Sequence, residues 1–252
     1  LWGPRDEAPL SDGSRLRDSL CGCFATSKAL HTLGVRYDYI ENSSVDDPVF
    51  RRSLERFLGA VRVKAALGSA RICQVGMRIP FFWCTIHDEA DLLRRFNVQV
   101  MPFDMVEVIE GYRNRYNKNE KMYGAELASL KESWLDPGEV PEAGMLRSLA
   151  LRDELRDLAE KHRIDAFSLQ NFDSLQYDLG PGSGLGIALL EEEFPVAAET
   201  DNMGALSSIL IEAAAGYDRP SFFPEFTARH PERDDTVLLW HASAPPSLRE
   251  PK

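Results

Sequence analysis

The stretch that decides the fold runs from Arg71 to Asp104. It opens with Arg71-Ile72-Cys73-Gln74-Val75, a short apolar run set between Gly68 and Gly76, and reads as a strand. Gly76 to Thr85 is a loop rich in aromatics. His87 to Phe96 reads as a helix, with Leu92, Leu93 and Phe96 on one side. Val98 to Phe103 is the next strand, and Asp104 is placed to cap another helix. Strand, helix and strand in this order imply a parallel sheet covered by helices, an α/β fold of Rossmann-like type.

Downstream the rhythm continues. Asn117 to Trp134 is a charged helix expected to face solvent, broken by Asp136-Pro137-Gly138, and Pro141 to His162 is a second long helix. Ile164 to Gln170 is an apolar strand. A glycine-rich loop from Gly180 to Gly186 runs into a helix, Pro195 to Glu199 is a strand, and Asn202 to Ala215 is the helix after it, closed by Gly216. Ser221 to Phe226 and Thr236 to His241 read as strands with no helix between them, so a β-rich unit is expected to begin near Gly216. Upstream, Ser11 to Leu33 reads as an amphipathic helix carrying Leu16, Leu20, Phe24 and Leu30 on one face. Val35, Tyr37 and Tyr39 alternate as in a strand. Asp47-Pro48 is a cap followed by proline at the first helical position, and Phe50, Leu54, Phe57, Leu58 and Val61 are expected to point inward.

The 252 residues carry a net charge of -11, which argues against nucleic acid as a partner, because phosphate binding needs clustered Lys and Arg. No apolar run approaches the length that spans a bilayer, so no membrane partner is expected. The cysteines, Cys21, Cys23, Cys73 and Cys84, form no CxxC pair and read as free thiols in a reducing cytoplasm. The abrupt ends, Leu1-Trp2-Gly3 and Pro251-Lys252, suggest a portion of a longer protein.

Ligands of open parallel sheets sit outside the carboxyl ends of the strands. Gln170 and Glu199 stand at such ends, and Glu225 lies in the aromatic, proline-bounded run Pro220 to Phe226. Glu199 is either a ligand-facing carboxylate or part of an ordinary strand-to-helix turn capped by Asp201 and Asn202. Glu225 is either buried beside a cation or an edge-strand residue in water. Together the two carboxylates suit a hard divalent ion. His241, ending the run Val237 to His241, is either a ligand-side imidazole or a hydrogen-bonded core residue. Gln170 is suited to sugar hydroxyls or to a structural strand end. The Phe81-Phe82-Trp83 cluster is suited to stacking a sugar ring or to a core. The glycine loop fits a dinucleotide site poorly, since Asp173 and Asp178 precede it. The run Glu191-Glu192-Glu193 reads as a solvated helix end.

Four stretches resemble the L-fucose isomerase family and its arabinose isomerase relatives: Leu1-Trp2-Gly3-Pro4 with the helix after it; Gly76-Met77-Arg78-Ile79-Pro80-Phe81-Phe82-Trp83; Glu199-Thr200-Asp201-Asn202-Met203-Gly204-Ala205-Leu206; and Leu239-Trp240-His241-Ala242-Ser243-Ala244-Pro245. The resemblance implies the end of one α/β domain over 1–68, a second over 69–215, and the start of a β-rich C-terminal domain over 216–252. It implies manganese, or another divalent cation, held by Glu199 and Glu225, which lie 26 residues apart. It implies a His ligand from beyond this chain, with His241 in a structural or substrate-side role beside Gln170 and Trp83. It implies a homo-oligomer acting on a monosaccharide.

The expected activity is aldose–ketose isomerisation through an enediol, with Glu199 and Glu225 as metal ligands and acid/base pair. The chain itself is expected to be an incomplete portion, with metal binding or activity impaired. The alternative is a non-catalytic sugar-binding or scaffold protein that kept the fold.

Overall fold

Residues 1–249 are described in a computed structural model, as two compact units that part between Arg62 and Val63. The first unit holds helix α1 (Ser19–Thr32) and most of α2 (Pro48–Leu67). The start of α1 lies eight residues after the expected Ser11, because the carboxylate of Asp6 accepts the N–H groups of Ser19 (2.6 Å) and Leu20 (3.0 Å). These bonds hold the Asp6 carboxyl below its ordinary range. The expected apolar face does not pack inward: Leu20 and Phe24 are exposed, and Cys23 is the buried residue of the helix. Val35, Tyr37 and Tyr39 are also exposed and form no strand. The Asp47 cap is present, its Oδ1 accepting the Val49 N–H at 2.9 Å, but Phe57, Leu58 and Val61 of α2 are exposed rather than inward. The rings of Trp2 and Phe50 lie 5.0 Å apart.

The second unit is built on β1 (Arg71–Val75), α3 (Glu89–Phe96), β2 (Gln99–Phe103), α4 (Met105–Ser133), α5 (Glu142–His162) and β3 (Ala166–Leu169). It continues through α6 (Ser174–Leu179), α7 (Gly184–Leu190), β4 (Val196–Ala198) and α8 (Asn202–Ala215) to a hairpin of β5 (Glu225–Arg229) and β6 (Val237–Trp240). The four parallel strands run in the order β2-β1-β3-β4, in register Cys73 to Phe167 and Ser168 to Ala197. The chain leaves β1 toward β2 and returns to the other side of β1 through β3, so the order reverses between β1 and β3.

Strand alternation sorts the core into two faces. Cys73, Val75, Phe167, Leu169 and Val196 pack against α4, α5 and α7. Ile72, Ala166 and Ala197 face Ala205, Leu206 and Ile209 of α8 and Leu92 of α3. Each fully buried Leu, Ile or Phe here contributes roughly 1.5–3 kcal/mol. Helix α4 bends at Asn119, whose φ of -130° leaves the helical region and whose side chain donates to the Arg115 carbonyl at 3.0 Å. Its second half faces solvent at most positions, as expected, and packs along one side. Tyr123 and Leu127 are buried against α5, and the buried Arg152 grips Glu126 with both terminal nitrogens. Of the charged residues on that stretch, Lys118, Glu120, Lys121 and Glu132 are exposed, while Glu126 and Lys131 pair with Arg152 and Glu142 of α5. Among the described residues no helix is long and apolar enough to cross a membrane, and all four cysteines are free thiols.

Candidate metal centre

Buried β4 ends at Ala198, and the chain leaves the sheet through two consecutive residues in the left-handed region, Glu199 (φ 60°) and Thr200 (φ 55°). Such residues cost on the order of 1–2 kcal/mol each without glycine. Hydrogen bonds from distant chain offset that cost. Glu199 N–H donates to Asn171 Oδ1 (3.0 Å), and Thr200 N–H to the Leu169 carbonyl (3.2 Å). Asp201 then caps α8 by accepting the Gly204 N–H at 2.9 Å. Asn202 donates to Gln74 Oε1 at 2.6 Å, pinning the turn to β1.

Glu225 reaches the same place by a different route. Glu212 of α8 accepts the Ser221 N–H (2.7 Å) and hydroxyl (2.8 Å). Two residues on, Phe223 lies so close to Gly204 that a Cβ there would meet its Cε2 at 2.3 Å. The segment from Ser221 to Phe223 is therefore a packed lead-in rather than the expected strand, and β5 begins at Glu225. Antiparallel pairing sets Glu225 opposite Trp240, so His241 follows directly beside it.

The result is a cluster. One carboxylate oxygen each from Glu199 and Glu225 and one ring nitrogen of His241 all lie within 4.8 Å of one another. All three side chains border a cavity of about 1080 Å3, whose walls include Trp134, Phe172, Phe222, Trp240 and the glycine loop at Gly182 and Gly184. Burial, then the charges of Glu225 and Asp201, push the Glu199 carboxyl above its ordinary range. Burial pulls the His241 imidazole below its ordinary range, opposed by Glu225. A neutral imidazole and two crowded carboxylates form an O, O, N donor set for a divalent cation, which would relieve the repulsion between the acids. These residues fit such an ion.

The other expected sugar contacts lie elsewhere. Gln170 is buried, its amide nitrogen 3.3 Å from Asp173 Oδ2, and Trp83 is 76 % exposed in a short 3-10 turn; neither borders the cavity. Phe172 takes the wall position instead, in ring contact with Phe81 and Phe82. Two residues escaped the sequence reading. Asn171 stands one position past Gln170, and its role in holding Glu199 leaves no local pattern. Glu191 is 5 % exposed rather than solvated, with Ser243 Oγ donating to its Oε1 at 2.7 Å. Burial pushes its carboxyl up to about 7, against the Ser243 bond and with help from Glu192.

Residues 1–68 match the family model for the N-terminal domain of fucose/sulfoquinovose isomerase. Over this part of its length the chain is similar to that domain. The match takes in α1 and α2 and ends before β1, so the candidate metal centre stands on geometry alone. No curated protein matches the chain.

Proposed function

We propose that the protein is a metal-dependent aldose–ketose isomerase acting on a monosaccharide. The observation that carries this reading is the convergence of Glu199, Glu225 and His241 at the wall of one large cavity. The N-terminal family match supports it independently. Glu199, Glu225 and His241 would hold the cation, with Mn2+ the first to test. When bound, the ion supplies Lewis acidity toward a sugar carbonyl and its neighbouring hydroxyl.

The remaining work falls to the chain. Trp134, Phe172 and Trp240 offer apolar faces to the C–H faces of a sugar and limit water. Isomerisation requires a base to take the C2 proton and return it to C1, while the O2 hydroxyl proton passes to O1. Glu199, a carboxyl that holds its proton more readily than usual, is suited to carry the carbon-bound proton, and Glu225 lies within reach to exchange one with the oxygens.

The test is to load the protein with Mn2+ and follow aldose-to-ketose conversion, beside Glu199→Gln. The variant is expected to lose at least about a hundredfold in turnover and most of its bound metal. Near-normal turnover and metal content in the variant would remove the role. Sugar binding that survives a chelator, with no conversion under any metal, would favour a non-catalytic sugar-binding protein instead.

A further inference from the structure

His241 borders two spaces. One is the large cavity that the carboxylates share. The other is a small pocket of about 10 Å3, roughly the room one water needs, lined by Asn171, Glu191, His241 and Ser243 among apolar residues. Glu191 brings an unusual feature to this pocket. Its Oε1 accepts from Ser243, but its Oε2 is buried with no protein partner. A carboxyl oxygen without a hydrogen bond at such depth costs about 1–3 kcal/mol, so a partner in the pocket is strongly favoured. Asn171 has already committed its Oδ1 to the Glu199 N–H, which leaves its amide N–H groups as donors.

We infer that the pocket holds a water that links Glu191 Oε2 to the ring nitrogen of His241 facing away from Glu199 and Glu225. Glu191 is then a positioning residue: it fixes the tautomer and rotation of the imidazole, so that the nitrogen facing the carboxylates carries the lone pair. The inference rests on reading His241 as a metal ligand. Ligating imidazoles need a partner on their second nitrogen for this purpose, and loss of such a partner weakens metal binding about 10- to 100-fold.

Two measurements decide it. In metal-free protein at about pH 8, well above the ordinary imidazole range, 15N shifts of His241 report its tautomer. Wild type is expected to show one dominant tautomer, retained in Ser243→Ala and lost in Glu191→Leu. Calorimetric titration with Mn2+ is expected to show about a 10- to 100-fold weaker affinity in Glu191→Leu, largely recovered in Glu191→Gln. A folded Glu191→Leu with the wild-type tautomer and affinity overturns the inference. So does an even tautomer mixture in wild type, which keeps the test decisive if the leucine variant does not fold. Wild type that takes up no Mn2+ sinks the metal-centre reading, while the tautomer result still decides the Glu191–His241 link.

Discussion

Asn171 Oδ1 accepts the backbone N–H of Glu199 at 3.0 Å, tying the chain beyond β3 to the strained turn that follows β4. Removing that acceptor leaves a left-handed residue with one fewer restraint. Asn171→Ala is therefore expected to destabilise the second unit by about 1 kcal/mol, lowering Tm by roughly 2–4 °C. It should also weaken Mn2+ binding, because Glu199 regains access to other backbone conformations. A thermal melt and a metal titration check both; an unchanged metal affinity would show that the Leu169 and Gln74 contacts hold the turn by themselves.

Metal uptake should be linked to protons at Glu199. Its carboxyl is raised by burial, by Glu225 and by Asp201, so it keeps a proton to higher pH than a free glutamate. A cation must displace that proton. Affinity for Mn2+ is expected to rise with pH through the range in which Glu199 ionises, with protons released on binding. His241, lowered by burial, is neutral over more of this range and adds little. Calorimetry in two buffers of different ionisation enthalpy measures the release; none at acidic pH, with a flat affinity, would contradict it.

How much of this could be read in the sequence depends on the range of the cause. Strand β1 has the expected limits, Arg71 to Val75, and α8 the expected limits, Asn202 to Ala215, because an apolar run and a cap with a terminal glycine are local signals. The convergence of Glu199 with Glu225 was legible as two strand-associated carboxylates. His241 was legible as a ligand-side or substrate-side imidazole, but its place beside Glu225 was not, since the pairing of Glu225 with Trp240 is a matter of hairpin register. Nor was the burial of Glu191: three successive glutamates look solvated until Ser243 returns from the far side of the hairpin. The late start of α1 has the same origin, a carboxylate at Asp6 that competes for its first turn.

The crossing of α7 over α5 gives a sharp test of the packing. A Cβ on Gly186 would lie 1.8 Å from the Ser148 carbonyl oxygen, a backbone atom that no rotamer change can move. The same contact places the Gly186 N–H 3.0 Å from Ser148 Oγ. Gly186→Ala must push the helices apart and is expected to cost about 3 kcal/mol or more. Gly124→Ala, where nothing lies within 4 Å of the added atom, serves as the control and should be neutral or slightly stabilising. Equal melting temperatures for the two variants would mean that α5 and α7 do not approach this closely.

Glu191 sets a pH dependence of folding whose sign is opposite to that of a salt-bridged acid. Its carboxyl rises from 4.5 to about 7 on folding, chiefly through burial. The folded state therefore holds this proton where the unfolded chain has released it. The stabilising contribution is complete below the unfolded value and is lost as pH rises through the folded one. Glu191→Gln keeps an oxygen for Ser243 but never has to bury a charge. Against wild type it should gain stability from about pH 5 to about pH 7, by up to roughly 3 kcal/mol at about 1.4 kcal/mol per pH unit, and level off above that range. Thermal melts of both proteins in chelator across that range measure the gap. Curves that stay parallel would show that Glu191 is ionised and solvated, and that the hairpin does not close over it.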